Sequence, residues 1–538
     1  MTMSDYNSWL GIKDKKIQKK LKSLSDEQKI ENFASPLAFG TAGMRGKMVM
    51  GSGGINEVTV TKLALSTAKY MLAHQKITCV VCYDTRKNSK LFAHIYAKVL
   101  SNNNILVYLF KKYAPTPLCV FATRFKKAQI GVMITASHNK REFNGIKIYN
   151  SIGIQIDNQT QQEISGYFNE ADEVECYNNT YNLKLKNIVW LKDDVLKAFL
   201  DGDTDMTTKH LKIVYTPLNG TGYEGVEKIL AQNKFKFFTP KSQKHPDPNF
   251  STCPYPNPEF IEAFKQSVDL AKKVDADVII ATDPDADRIG VMIKSKDGYK
   301  KLSGNELGYI FLKFLLDNKK QEDGFVVTIV VSSPLVEKIC NMENIPLYKT
   351  LTGFKSLGEK THELVLSGKT PLLVFEESCG YIVRPNTYDK DGIYAALLVC
   401  QIGEWLKSHG SDFEKYLNDI YEKYGYLSAL GDSIVFEGVD SLNVMNNVIN
   451  SLRANPIKSV GDVKIQGKTD YLKDDTGLDK QNFIEYRAGK LQFIIRPSGT
   501  EPKLKIYLFY EDSDSVKAEQ NANNIMEKLK EIINERQN

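Results

Sequence analysis

Short apolar runs rich in β-branched residues recur along this chain, and each ends abruptly in a polar or glycine-bearing loop. Cys79 to Tyr83 leads into Asp84-Thr85-Arg86, and Ile130 to Ile134 leads into Thr135-Ala136-Ser137-His138-Asn139. Leu211 to Tyr215, Val278 to Ala281, Phe325 to Val331, Pro371 to Phe375 and Leu491 to Ile495 repeat the pattern. Strands that are apolar without alternation are buried on both faces, the mark of parallel α/β sheets. Between the runs, Glu57 to His74, Gly222 to Gln232, Pro258 to Lys273 and Asn305 to Asn318 space apolar residues by three and four, as crossover helices do. Ligands of open parallel sheets collect beyond the carboxyl ends of the strands, so the polar loops are the candidate active site.

A chain of 538 residues is too long for one core and suits roughly three to four domains. The boundaries expected from strand restarts divide it into 1–208, 209–322, 323–428 and 429–538. Leu211 opens a fresh strand after an irregular region from Glu170 to His210, and Phe325 restarts after polar residues 318–324. Beyond Gly425, Asp432 to Glu437 and the alternating Lys503 to Tyr510 read as a partly antiparallel sheet, on which a helix from Ser515 to Arg536 should pack. Met1 to Ala34 is charged and helix-forming, with no assigned chemistry.

A formal net charge of +6 over this length gives no case for nucleic acid, so any anion site must be local. Eight cysteines without repeated spacing form no disulfide framework, and Cys79 and Cys82 read as buried strand residues rather than a metal or redox pair. The polar start and the absence of a ~20-residue apolar stretch predict a cytoplasmic protein with no membrane partner.

Asp283, Asp285 and Asp287 alternate after a buried strand, where their carboxylates can converge on one hard divalent cation. Three carboxylates so close repel one another unless a cation or basic groups compensate. An EF-hand is disfavoured because its sixth position is Arg288 and its twelfth Lys294. Ser137 has His138, Asn139, Asn144, Gly145 and Lys147 nearby, which supply a proton carrier, amides, a flexible turn and a cation for handling phosphate on a serine oxygen. The glycines of a nucleophile elbow are missing. Arg496-Pro497-Ser498-Gly499-Thr500-Glu501-Pro502-Lys503 combines cations, hydroxyls and a glycine turn into a phosphate cradle. Ser367-Gly368-Lys369-Thr370 lacks the earlier glycine of a P-loop and reads as a turn. Gly40 to Gly46 reads as a close-approach loop presenting Arg45.

Taken in order, these motifs resemble the α-D-phosphohexomutase superfamily, in its long phosphoglucomutase and phosphopentomutase branch. The series comprises Phe39 to Gly46, Thr135 to Asn139, Asn144 to Lys147, the aspartate loop with Arg288, Thr352-Gly353-Phe354-Lys355, Glu376-Glu377-Ser378, Asp389-Lys390-Asp391-Gly392 and the loop from Arg496. The resemblance implies four domains around one cleft: three related α/β domains with mixed, mostly parallel sheets, then a TATA-binding-protein-like α+β domain. It implies a phosphoryl group on Ser137, with Mg2+ held by that group, Asp283, Asp285 and Asp287. Arg288 would sit beside them, and Arg45, His138 and Lys147 would surround the reacting oxygen. Glu376 and Ser378 would contact sugar hydroxyls, with Thr352, Gly353 and Lys355 in the loop that distinguishes sugar orientation. Lys390, Arg496, Ser498, Gly499 and Thr500 would clamp the substrate's own phosphate. Lys140 and Phe143 stand where many relatives have Pro and Tyr.

The activity so implied is interconversion of glucose 1-phosphate and glucose 6-phosphate, with glucose 1,6-bisphosphate or a matching sugar bisphosphate as activator, by a monomer or homodimer. Lys147 is the first expected proton acceptor and His138 the second. Phosphopentomutase or phosphomannomutase action on the same scaffold stays open, as does mainly making glucose 1,6-bisphosphate. From other classes come a metal-dependent sugar phosphatase and a catalytically idle sugar-phosphate binder.

Overall fold

The computed structural model describes residues 2–40, 43–201, 210–319, 322–384, 387–438, 440–498 and 502–537. By compactness the chain divides into two units. One runs to Gly304 and takes in 361–363 and 378–411; the other comprises 305–360, 364–377 and the rest from Asp412. Among the described residues no helix is long and apolar enough to cross a membrane.

The first unit carries two mixed sheets. In one the strand order is Met44–Lys47, Phe143–Asn150, Ile130–Ile134, Thr78–Tyr83, Leu106–Phe110, Ile188–Leu191. Its four apolar strands run parallel, and Phe143–Asn150 and Met44–Lys47 add antiparallel at one edge. Glu57–Ala73 packs over this sheet; Asn56 and Thr59 close its first turn in a reciprocal capping box, satisfying amides that the helix leaves unbonded. The second sheet has the order Gly298–Lys301, Ile289–Ser295, Val278–Thr282, Lys212–Thr216, Lys236–Phe238. Three helices, Thr2–Trp9, Lys15–Lys22 and Asp26–Phe33, bury Trp9, Ile12, Ile17, Leu21 and Phe33 with Met50, Val58 and Tyr177.

In the second unit Leu347–Thr350, Gly324–Ile329 and Thr370–Glu376 pair parallel. Downstream, Tyr426–Val435, Lys503–Asp512, Leu491–Pro497, Ile484–Ala488 and Gly467–Asp470 form a wholly antiparallel sheet. Helices Ser441–Ala454 and Ser515–Asn534 cover it, placing Val448, Leu452, Met526 and Leu529 against Phe493, Ile495, Leu504 and Ile506.

Several expectations change. The run at Leu491 is a central antiparallel strand, because continuous apolar character reports burial and not strand direction. The region from Glu170 is ordered: Glu173–Thr180, Ile188–Leu191 and Asp193–Leu200 are regular, and the strand escaped notice because Val189 and Trp190 lie on a half-exposed sheet edge. Residues 202–209 fall outside the described residues. Pro258 to Phe260 precede a 3-10 turn, and the helix proper is Lys265–Val274. The last sheet begins at Tyr426 rather than Asp432.

Candidate functional site

Neighbouring strands of the first sheet set their loops side by side. Ile130–Ile134 ends at Ser137, whose backbone takes φ +51° in the left-handed region. For a non-glycine residue that conformation costs about 1–2 kcal/mol, so the surroundings must enforce it. The Ser137 hydroxyl is buried and donates to Asp283 Oδ2 at 2.8 Å, and its oxygen lies 3.3 Å from His138 Nδ1. Asp283 follows the strand Val278–Thr282 of the second sheet. Its other oxygen accepts from the backbone N–H groups of Asp287 and Arg288, each at 3.1 Å, which closes the aspartate loop on itself.

Lys147 reaches this cluster from strand Phe143–Asn150, where it pairs with Met133. Its Nζ donates to Asp285 Oδ2 and Asp287 Oδ2, both at 2.9 Å. Thr116, opening the helix Thr116–Phe125, donates its hydroxyl to the same Asp285 oxygen at 2.7 Å. Lys390 Nζ lies 3.6 Å from Asp287 Oδ2 and from Asp389 Oδ1. Arg288 donates to Glu259 and, at 3.0 Å, to the carbonyl of Ser378. Arg45 donates to Asn139 Oδ1 at 2.9 Å.

Asn144 and Gly145, expected in a flexible turn, instead lie inside that strand, and Arg45 sits opposite Gly145 on the short strand Met44–Lys47 rather than on a loop. Glycine is needed at 145 because a Cβ there would come within 2.6 Å of the Thr135 carbonyl and 2.7 Å of the Met44 carbonyl. At Gly43, with φ +91°, a Cβ would meet the Ile146 carbonyl at 2.0 Å. These two close approaches bring the Arg45 and Ser137 segments against the strand that carries Lys147.

Electrostatics follow from burial and pairing. Asp283 is pushed well above the usual carboxylate range by burial, reinforced by Asp285 and Asp287. Burial acts the same way on Asp287, but Lys147, Lys390 and Arg288 overcome it and hold the carboxyl below its usual value. For Lys147 burial opposes the charge, while Asp285 and Asp287 outweigh it and keep the ammonium protonated. His138 is pushed well below the usual imidazole range by burial, with Arg288 and Arg45 adding to the effect. Beside Ser137, then, His138 is held neutral and Lys147 is held charged.

Asp283, Asp285 and Asp287 offer ligand oxygens that all lie within 4.8 Å of one another. Asp285 Oδ1 and Asp287 Oδ1 are buried without a hydrogen-bond partner. Buried carboxylate oxygens without donors are costly, and an oxygen-seeking dication is the group that fits them.

In the second unit, Thr352 donates its hydroxyl to Gln481 Oε1 at 2.9 Å, and Gly353 takes φ +110° just before the helix Phe354–Leu366, whose first turn carries Lys355. Arg496 lies at the end of the strand Leu491–Pro497 and bonds the half-buried Tyr507 phenol, which desolvation and then Glu377 push upward. Glu376 is buried at the end of Thr370–Glu376 and also acts on Tyr507. Ser498 N–H donates to the Lys503 carbonyl at 2.8 Å, while Gly499 and Thr500 lie outside the described residues.

Three family models describe consecutive segments: phosphoglucomutase/phosphomannomutase α/β/α domain I over residues 36–175, domain II over 193–298 and domain III over 303–424. The phosphoglucomutase of Staphylococcus aureus (strain MRSA252) is 34% identical over 506 residues, 90% of this chain and 91% of that protein. This chain belongs to the α-D-phosphohexomutase superfamily. Its phosphoglucomutase/phosphomannomutase membership makes it a phosphosugar mutase, an isomerase that works by phosphoryl transfer. A putative phosphomannomutase from Thermus thermophilus shares the fold with a TM-score of 0.72 at 20% identity, covering 93% of this chain and 99% of that one. Parafusin, a phosphoglucomutase from Paramecium in an open form, gives 0.67 at 19% identity, covering 93% and 96%.

Sequence reasoning missed Thr116 and Glu259, and it counted Asp84-Thr85-Arg86 among the candidate loops without finding the Asp84-Arg86 pair. The last was within reach, because Thr78–Tyr83 and Ile130–Ile134 are adjacent parallel strands and their loops must touch.

Proposed function

We propose that this mutase interconverts glucose 1-phosphate and glucose 6-phosphate through a phosphorylated Ser137 and glucose 1,6-bisphosphate, with Mg2+ held by the serine phosphate, Asp283, Asp285 and Asp287. The observation that carries the reading is the Ser137 hydroxyl 2.8 Å from Asp283 inside a three-carboxylate cluster with two donorless buried oxygens. The relatives named phosphoglucomutase at 34% identity support glucose as the sugar. The four-way division at 1–208, 209–322, 323–428 and 429–538 is the frame in which these loops act.

When bound, the ion draws negative charge from the phosphoryl oxygens. The Ser137 Oγ–P bond breaks as a sugar hydroxyl oxygen bonds the phosphorus; the hydroxyl's proton passes to His138, whose Nδ1 lies 3.3 Å from the Ser137 oxygen, and from there to that oxygen. Lys147, kept cationic by its aspartates, offsets charge on the group in transit, and Arg45 and Arg288 add to that field. The bisphosphate then turns end over end and returns its other phosphate to Ser137. Thr352, Gly353, Lys355, Glu376 and Ser378 bind the sugar. Lys390, Arg496, Ser498, Gly499 and Thr500 hold the phosphate that is not reacting, and charge rather than shape lets them accept either end.

Intact-mass measurement of freshly purified protein before and after incubation with glucose 1,6-bisphosphate tests the phosphoserine, with the modified residue mapped to Ser137. Specificity constants for glucose, mannose, ribose and deoxyribose 1-phosphates test the sugar; a tenfold preference for another sugar overturns glucose. Release of inorganic phosphate at the turnover rate overturns the mutase in favour of a phosphatase.

A further inference from the structure

Both peptide groups of Ser137 are tied to one carboxylate that the reaction above does not use. The Ser137 N–H donates to Thr135 Oγ1 at 2.8 Å, and that hydroxyl donates to Asp84 Oδ2 at 2.7 Å. On the other side, the Ser137 carbonyl accepts from Arg86 Nη2, and Arg86 Nε lies 3.3 Å from the same Asp84 oxygen. The guanidinium continues along the loop: Nη2 also donates to the Asn139 carbonyl, and Nη1 donates to those of Lys140 at 2.9 Å and Phe143 at 3.3 Å. One planar cation therefore ties four carbonyls between 137 and 143. A Lys ammonium, whose donors diverge from a single atom, cannot reproduce this spread.

The arrangement is sealed. Both side chains are fully excluded from solvent, and the Arg86 guanidinium lies over the Phe250 ring, 5.0 Å from its centre. Asp84 is itself pinned by the Ser89 hydroxyl at 2.6 Å and the Arg86 N–H at 2.9 Å. These bonds enclose the residue with φ +51°, whose hydroxyl points to Asp283.

We infer that Arg86 is a positioning residue for phosphoryl transfer: with Asp84 and Thr135 it holds the Ser137 backbone in its left-handed conformation and thereby aims the serine oxygen at the aspartate cluster. This rests on the mutase reading with Ser137 as phosphoryl carrier. Because the same serine serves both half-reactions, misaiming it slows each of them, while the loops assigned to the sugar and its spare phosphate are untouched. Loss of the clamp therefore belongs in kcat and not in KM.

The test compares Arg86→Lys and Thr135→Val in the full-length protein, using steady-state kinetics, thermal unfolding and amide hydrogen exchange of residues 137–143. Arg86→Lys should lower kcat by about a hundredfold and Thr135→Val by about tenfold, with KM within twofold of the parent. Exchange across 137–143 should speed up in both, and the double variant should lose less than the product of the two, since both act through Asp84. If Arg86→Lys does not fold, Thr135→Val alone carries the comparison. Parental kcat in a folded variant, or a rise in KM matching the fall in kcat/KM, overturns the inference. Were the parent protein to show no mutase activity, the proposed function would fail while the exchange data still judged the clamp: unchanged protection at 137–143 would reject it.

Discussion

The two units treat their polar loops in opposite ways. Around Ser137 the oxygen, its aspartates and the two lysines are packed away, with Arg45, His138 and Arg288 half-buried beside them: Ser137 is 3% exposed, Asp283 and Asp285 0%, Lys147 and Lys390 6%. In the other unit Thr352, Lys355, Arg496 and Ser498 are half-buried and Gly353 is exposed. A group that must meet phosphorus at one angle gains from a dry, fixed setting, where fields are strong and nothing reorganises. Groups that receive a sugar in two orientations gain from access and adjustable side chains. The contrast teaches that the groups proposed for the transfer itself, Ser137, Asp283, Asp285 and Lys147, lie deeper than most of those proposed for recognition, Glu376 and Lys390 being the buried exceptions.

That separation can be broken most sharply at Ser137. Ser137→Ala should retain its fold and lose at least ~10⁴-fold in kcat, read by a coupled mutase assay beside circular dichroism; more than a few per cent residual turnover rejects Ser137 as carrier. Next, Asp285→Asn should lower kcat about a hundredfold and weaken Mg2+ binding in calorimetry, since it neutralises one of the proposed ion ligands and weakens the acceptor shared by Lys147 and Thr116. A pH series sharpens the same side. Burial raises Asp283, so a proton competes with the ion for that carboxylate. Mg2+ affinity should therefore fall as pH falls through that raised value, up to about tenfold per pH unit, with proton release seen when calorimetry is repeated in buffers of different ionisation enthalpy. On the open side, Lys355→Ala should raise KM about tenfold with kcat within threefold; a larger effect on kcat than on KM would erase the contrast. Smallest, Gln481→Ala removes the hydrogen bonds that hold Thr352 and should raise KM about threefold.

Much of this was legible in the chain. Apolar runs marked the strands because burial on both faces leaves no room for alternation, and Ile130–Ile134 and Gly222–Gln232 begin and end where the sequence reading put them. The aspartate loop was legible because three carboxylates in five residues need compensation, which the structure supplies in part through Lys147 and Lys390. Strand direction was hidden, as at Leu491–Pro497, because it depends on distant partners. The role of Gly145 was hidden too: an Asn-Gly pair reads locally as a turn, yet here it answers to carbonyls of Met44 and Thr135. Charge state was the least legible, since whether Lys147 or His138 sheds its proton depends on which carboxylates and arginines face it in space.

The lysine bridging Asp285 and Asp287 has a practical corollary. Because Lys147 and Lys390 already offset part of the cluster's charge, the loop is expected to keep its shape when the proposed dication is withdrawn, which would make the ion an exchangeable part. Chelation should yield an intact, silent scaffold that revives on adding Mg2+, and swapping in Mn2+ or Co2+ becomes a direct way to place a spectroscopic reporter beside the reacting phosphate.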